Sequence, residues 1–326
     1  MTTCSAALRR IFTAVALIVL CAPAAAQQAY PNKPIRLLVP YAPGGSSSIS
    51  ARLMGQKLSE AWGQQVIVEN RPGGNTIIAT EALAKSTPDG YTVLLLDSSH
   101  AILPHLMPLP YDPVKDFATV AGVHSQDFVI VLNPAVPANN FDEFIALAKS
   151  KPGQLNYASP GAGGIQHLAG ELFSSMAGIK MQHVPYKGSG PIMPDLMSGQ
   201  VQLSFQSPAV SMPFVKSGKL KAIAVTGTTR VPALPQVPTI AESGLAGYEV
   251  QAWFGLVAPA GTPGDIIGRI SREVARIEAL PEFREKLLEM GMKPFVNTPE
   301  QFAALIKADT AKYAKIIKDA NIKFEN

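Results

Sequence analysis

The chain has 326 residues, 47% of them hydrophobic, with 28 basic residues, 24 acidic and a formal charge of +4. That length exceeds what one hydrophobic core usually serves, so two lobes are expected. Basic residues form no clustered stripe, which argues against a nucleic-acid partner.

Residues 1–26 carry Arg9 and Arg10, an apolar run from Ile11 to Leu20, and then Ala24-Ala25-Ala26. This pattern predicts a secretory signal peptide cut after Ala26, and the run is too short to remain as a membrane anchor. Cys21 raises the alternative of a lipid-modified cysteine, but Ile18-Val19-Leu20 lacks the small residue expected beside one. Cys4 and Cys21 both fall in the leader, so the mature chain is expected to have no disulfide, thiolate metal site or cysteine nucleophile. Losing Arg9 and Arg10 leaves 26 basic residues against 24 acidic ones. The mature protein is therefore read as a soluble, near-neutral molecule of the periplasm.

Beyond the leader, β-rich runs at 35–41, 65–69, 91–96, 128–132, 155–158, 181–186, 201–205, 220–225 and 254–257 alternate with segments of helical spacing. Ala51, Met54, Leu58, Ala61 and Trp62 form one apolar stripe, ended by Gly63. Ile165, Leu168, Leu172 and Met176 form a second, ended by Gly178, and Ile266, Ile270, Val274 and Ile277 a third. Thr298-Pro299-Glu300-Gln301 opens the last helix with a capping box and proline at the first helical position. Such alternation predicts α/β lobes with largely parallel sheets.

Two glycine-rich turns join a strand to a helix. The first is Tyr41-Ala42-Pro43-Gly44-Gly45-Ser46-Ser47-Ser48, with its helix expected from about Ile49. The second is Ser159-Pro160-Gly161-Ala162-Gly163-Gly164. Glycines let several N–H groups converge, and a helix N-terminus adds partial positive charge, so both turns can cradle a small anion. Each is equally readable as an ordinary serine-capped βα turn. Neither has the Gly-Lys-Ser/Thr of a phosphate loop, Gln166 stands where a dinucleotide fingerprint needs its third glycine, and no serine sits in a nucleophile elbow. His167, in a first helical turn, can face the cleft and donate to a carboxylate, or be a solvated surface histidine. His100 and His105 flank Pro104 in poor geometry for a shared ligand. His124 is placed before a strand and His183 within one, and no histidine has metal-ligand spacing. No metal, cofactor or catalytic group is expected.

Eight ordered segments carry a resemblance across the mature chain. They are Tyr41-Ala42-Pro43-Gly44-Gly45, Glu69-Asn70-Arg71-Pro72-Gly73-Gly74, Pro88-Asp89-Gly90-Tyr91-Thr92, and the run from Leu109-Pro110-Tyr111 to Asp116-Phe117. His167-Leu168-Ala169-Gly170-Glu171-Leu172-Phe173, Val184-Pro185-Tyr186-Lys187-Gly188-Ser189-Gly190-Pro191, Val237-Pro238-Thr239-Ile240-Ala241-Glu242-Ser243-Gly244 and Ala258-Pro259-Ala260-Gly261-Thr262-Pro263 complete the set. In these the chain resembles the Bug-type solute-binding receptors of the tripartite tricarboxylate transporter family.

The resemblance implies an α/β two-lobe periplasmic binding protein, a Venus flytrap with two crossover strands near Phe128 and Trp253. Lobe one would take residues 27–125 and 251–326, and lobe two 126–250. A small carboxylate would lie between them, held by Tyr41, Gly44, Gly45, Ser46 and Ser47 on one side. Ser159, Gly161, Gly163, Gly164 and His167 would hold it from the other, with Ser98, His100, Phe205, Gln206 and Ser207 at the distal end. Partners would be the membrane subunits of such a transporter, with the protein itself a monomer. A sensory receptor without transport, and a periplasmic enzyme, are the competing readings. Where many family members carry aspartate, this chain has Ser48, readable as a helix cap, and it has Gln206-Ser207 where they have aspartate-asparagine. The cleft is therefore expected to hold no carboxylate of its own, and to favour a dicarboxylate or aromatic carboxylate over a zwitterion.

Overall fold

The structure, a computed structural model, describes residues 30–322, so the expected leader with Cys4 and Cys21 lies outside the described residues. In chain order come β1 (Ile35–Val39), α1 (Ser46–Trp62), β2 (Val66–Asn70), α2 (Ile77–Ala84), β3 (Thr92–Asp97), the short α3 (Ser99–Ile102), β4 (Phe117–Asp127) and β5 (Val129–Leu132). The chain continues with α4 (Phe141–Ser150), β6 (Asn156–Ser159), α5 (Ile165–Ala177), β7 (Gln182–Pro185), α6 (Ser189–Ser198), β8 (Leu203–Gln206), α7 (Pro208–Lys216) and β9 (Lys221–Val225). It ends with β10 (Gln251–Pro259), α8 (Gly264–Glu278), α9 (Pro281–Glu289), β11 (Met292–Pro294) and α10 (Pro299–Asp319).

The strands form two sheets. One has the order β11-β4-β10-β3-β1-β2 and the other β7-β6-β8-β5-β9. β1 pairs parallel with β2 and β3, and β6 pairs parallel with β7 and β8. Every pairing of β4, β5 and β10 is antiparallel, so the sheets are mixed rather than largely parallel. The cause is topological: a strand that leaves one sheet to enter the other cannot be fed by a βαβ crossover.

β4 and β5 are separated by Phe128 alone, and β10 brings the chain back into the first sheet. Strand β4 is longer than any element expected there. Its second half, Gly122-Val123-His124-Ser125-Gln126-Asp127, looks like a polar loop, yet all six residues are buried. The His124 ring stacks on Phe254 at 4.4 Å, and Asp127 pairs with Lys293 of β11 at 2.8 Å. Tertiary partners, not intrinsic preference, make this segment a strand.

The helices follow their apolar stripes with small shifts. α1 ends at Gly63, whose φ of 64° is left-handed, and α5 ends the same way at Gly178. In α5 the buried apolar side chains are Ile165, Leu168, Ala169, Phe173 and Ala177, whereas Met176 is exposed, so the later part of the stripe lies one position from the expected one. The box at the start of α10 is formed as expected, with Thr298 and Gln301 each satisfying the other's backbone N–H.

Candidate functional site: three helix ends at the interlobe cleft

α1, α5 and α6 begin at glycine N-caps, Gly45, Gly164 and Gly188, and none of the three has a side-chain cap. A glycine there offers the first-turn N–H groups no side-chain oxygen of its own, and in α5 Ser99 Oγ takes the Ile165 N–H instead; the helix ends still carry partial positive charge. All three ends reach one pocket between the lobes, lined by Tyr41, Gly45, Ser46, Ser47, Asp97, Pro160, Gln166, Ser189 and Phe254. Helix ends of both lobes thus meet at one small pocket.

The cleft is shut. The pocket is about 10 Å³, roughly the space of one water molecule. The lobes bond directly, Ala42 N–H to the Lys187 carbonyl at 2.9 Å and Ile165 N–H to Ser99 Oγ at 3.3 Å. Glycines make the approach possible: a Cβ on Gly190 would fall 2.2 Å from the Pro43 carbonyl oxygen, and one on Gly161 2.5 Å from Asn75 Oδ1. A ligand of several heavy atoms therefore enters only when the lobes part.

Of the first-turn residues named from sequence, Tyr41, Gly45, Ser46 and Ser47 line the pocket. Gly44 does not; it is exposed, with a φ of 90° and its position facing the Gly190 backbone. α1 starts at Ser46, not Ile49, and Ser48 is no cap: its hydroxyl lies 3.4 Å from Asn70 Oδ1. Gln126 Nε2 donates to Ser46 Oγ at 3.0 Å, tying the crossover strand to the loop.

The second loop differs more from expectation. Its backbone donors are already used: Gly163 N–H donates to His167 Nδ1 at 2.8 Å, Gly161 N–H to Ser159 Oγ at 3.3 Å, and Gly164 N–H to the Gly161 carbonyl at 3.3 Å. Ser159 is fully buried, its hydroxyl 2.7 Å from His183 Nε2. His167 is buried and stacked on His183 at 3.6 Å, and burial holds its imidazole far below the usual range. It is therefore a neutral acceptor that shapes the loop, and neither a surface residue nor a charged donor. The loop faces the pocket through Pro160 and Gln166 instead.

The distal residues are also redistributed. Ser98 is buried at the first-lobe end of the crossover, where its Oγ accepts the Trp253 N–H at 2.9 Å. His100 turns away from the cleft: its Nε2 is 2.7 Å from the Pro113 carbonyl, and it borders a separate apolar cavity of about 620 Å³ beside α10. Burial lowers its pKa to about 4. Phe205 faces the core of the second lobe, edge-on to Phe173 and Tyr157, because side chains alternate across a strand. Gln206 and Ser207 are buried beside it without lining the pocket, and Gln206 Nε2 donates to Ser204 Oγ at 2.9 Å.

The cleft does hold a carboxylate, contrary to expectation. Asp97 ends β3 with 4% of its surface exposed, Oδ1 accepting the Ser99 N–H at 2.9 Å. Burial pushes its pKa up, while hydrogen bonds from Tyr41 and Ser99 pull the other way. Its position was legible: ligands of open α/β sheets meet the carboxyl ends of parallel strands. Ser189 was legible too, since Gly188-Ser189 opens a helix as Gly45-Ser46 does.

A family model described as tripartite tricarboxylate transporter family receptor matches residues 50–322. BugT of Bordetella pertussis is 35% identical over 299 residues, 91% of this chain and 92% of that one. Among solved structures, Rpa4515 of R. palustris with adipate superposes with a TM-score of 0.88 at 33% identity, covering 90% of this chain and 99% of that one. The periplasmic binding protein BugD gives 0.86 at 32% identity, covering 91% and 100%. With a two-sheet periplasmic-binding-protein fold, the chain belongs to the tripartite tricarboxylate transporter receptors, a family of solute-binding proteins and not of enzymes.

Proposed function

We propose that this protein captures a small carboxylate in the periplasm, between the helix ends of α1, α5 and α6, and presents the closed form to the membrane subunits of a tripartite transporter. The observation that carries this reading is the convergence of three uncapped helix N-termini from both lobes on one pocket. Each charge-assisted hydrogen bond to such an anion contributes roughly 1.5–3 kcal/mol. Rpa4515, which has the same fold, was solved with adipate, a ligand of that chemistry.

In the ligand site we place Tyr41, Gly45, Ser46 and Ser47 of one lobe and Gln166 and Ser189 of the other. Gly44, Ser159, Gly161, Gly163, Gly164 and His167 build the loops that carry them. The lobes are residues 27–125 with 251–326, and 126–250. The mature chain begins at Gln27 and acts as a monomer. A thermal-shift screen of mono-, di- and tricarboxylates, followed by calorimetry, tests the assignment, because a ligand of the native state raises apparent stability by mass action. The outcome expected is saturable binding of at least one carboxylate, with the ligand recovered unchanged. Failure of every carboxylate would refute it.

A further inference from the structure

Two aspartates are buried, Asp127 at the end of the crossover strand β4 and Asp97 at the end of β3, and they differ in one respect. Asp127, 2% exposed, has a cation: Lys293 Nζ lies 2.8 Å from Oδ2, and Gln251 Nε2 donates to Oδ1 at 3.1 Å. Asp97, 4% exposed, is held by neutral donors alone, Ser99 and Tyr41, and none of the ion pairs among the described residues includes it. The pocket that Asp97 lines has no lysine, arginine or histidine. A buried charge without a counter-charge is costly, and that cost falls when an opposite charge is brought to it.

Resting on the carboxylate-receptor reading above, we propose that Asp97 is a specificity residue that selects ligands carrying an ammonium group beside their carboxylate. The cleft then matches a zwitterion at both ends. The helix ends at Gly45–Ser47, Gln166 and Ser189 take the carboxylate and Asp97 takes the ammonium, with Phe254 and the Tyr41 ring as apolar lining of the same pocket. The register supports this division: Asp97 sits opposite Phe254 across β3 and β10, so the acceptor and the apolar wall are neighbours in one sheet. Tyr41 is positioned by the same group. Its hydroxyl lies 3.3 Å from Ser99 Oγ, and Asp97 is among the groups that hold its phenol protonated. A ligand whose far end is a second carboxylate meets like charge at Asp97, which is a repulsive device as well as an attractive one.

The test is calorimetry of the full mature protein against matched compounds: aspartate beside succinate and malate, glutamate beside glutarate, and 4-aminobutyrate beside butyrate. Wild type is expected to bind the ammonium-bearing member of a pair at least ~10-fold more tightly than its amine-free or hydroxyl analogue, about 1.4 kcal/mol of discrimination. Asp97→Asn keeps the acceptor for Ser99 N–H, and is expected to remove that preference while sparing or improving binding of the amine-free compound. Equal or weaker binding of the ammonium compounds by wild type overturns the proposal, as does malate binding as well as aspartate, or an equal loss for both members in Asp97→Asn. If the variant does not fold, the wild-type ranking decides alone. Carboxylate binding without an ammonium preference sinks only the role of Asp97, whereas no carboxylate binding at all sinks the receptor reading beneath it.

Discussion

Phe128 and Thr226 hold each other across the crossover: Phe128 N–H donates to Thr226 Oγ1 at 2.8 Å, and Thr226 N–H returns to the Phe128 carbonyl at 2.9 Å. The same hydroxyl donates to the Val250 carbonyl at 2.7 Å, so one side chain joins both strands that pass between the lobes. Removing it in Thr226→Val orphans a buried N–H and a buried carbonyl. Destabilisation of about 1–3 kcal/mol is expected in chemical denaturation, with Thr226→Ser close to wild type.

Gly190→Ala tests closure. The added methyl meets the Pro43 carbonyl at 2.2 Å only when the lobes are shut, and it sits in a helix, where alanine is favoured over glycine. Carboxylate affinity should fall at least ~10-fold in calorimetry while the ligand-free melting temperature changes little. Unchanged affinity would show that the bound form is more open than this structure.

Acid should unfold the protein through its histidines. Burial lowers the pKa of His100 to about 4, of His124 to about 3 and of His183 to about 4. Each is neutral when folded and titrates near 6.5 when unfolded, so its contribution is full above that value and is lost as pH falls through the folded pKa. Stability between pH 6 and 4 should drop by up to ~1.4 kcal/mol per pH unit for each such group. Both His124 nitrogens are buried without a partner among the described residues, and His124→Leu should flatten the slope measured by denaturation across pH.

Glu278 should act in the opposite direction. It is fully buried on α8, and burial raises its pKa to about 8 against smaller pulls from the Phe295 backbone and Arg284. Its folded form holds a proton that the unfolded form has lost above about 4.5, so stability falls as pH rises from there through 8. Glu278→Gln should be more stable than wild type at pH 9 by up to ~5 kcal/mol, with the difference vanishing near pH 4. Equal stability at both pH values would show that Glu278 is ionised in the fold.

What could be read from sequence was whatever local chemistry dictates. Gly63 and Gly178 ended their helices, Thr298 began one, and the glycine-serine turn at 41–48 marked one wall of the cleft. Residues whose role depends on a distant partner were opaque. The polar run 122–127 becomes strand only because Phe254, Lys293 and Ser46 await it. His167 looked like a donor, and only its stack on His183 and the bond from Gly163 make it an acceptor. Asp97 stands at the carboxyl end of a strand, where a ligand is expected, but it lies outside the glycine-serine turns that drew the eye to the cleft.

The glycine N-caps have a consequence for the empty receptor. Closing the lobes brings the positive ends of α1, α5 and α6 toward one point, and like ends repel. Without an anion the shut form must bear that repulsion, while the open form spreads the three ends into water. A captured carboxylate reverses the balance by giving all three ends one shared neighbour. On the proposed function the ligand then works as the spring catch of the hinge, and a loaded receptor differs from an empty one in shape.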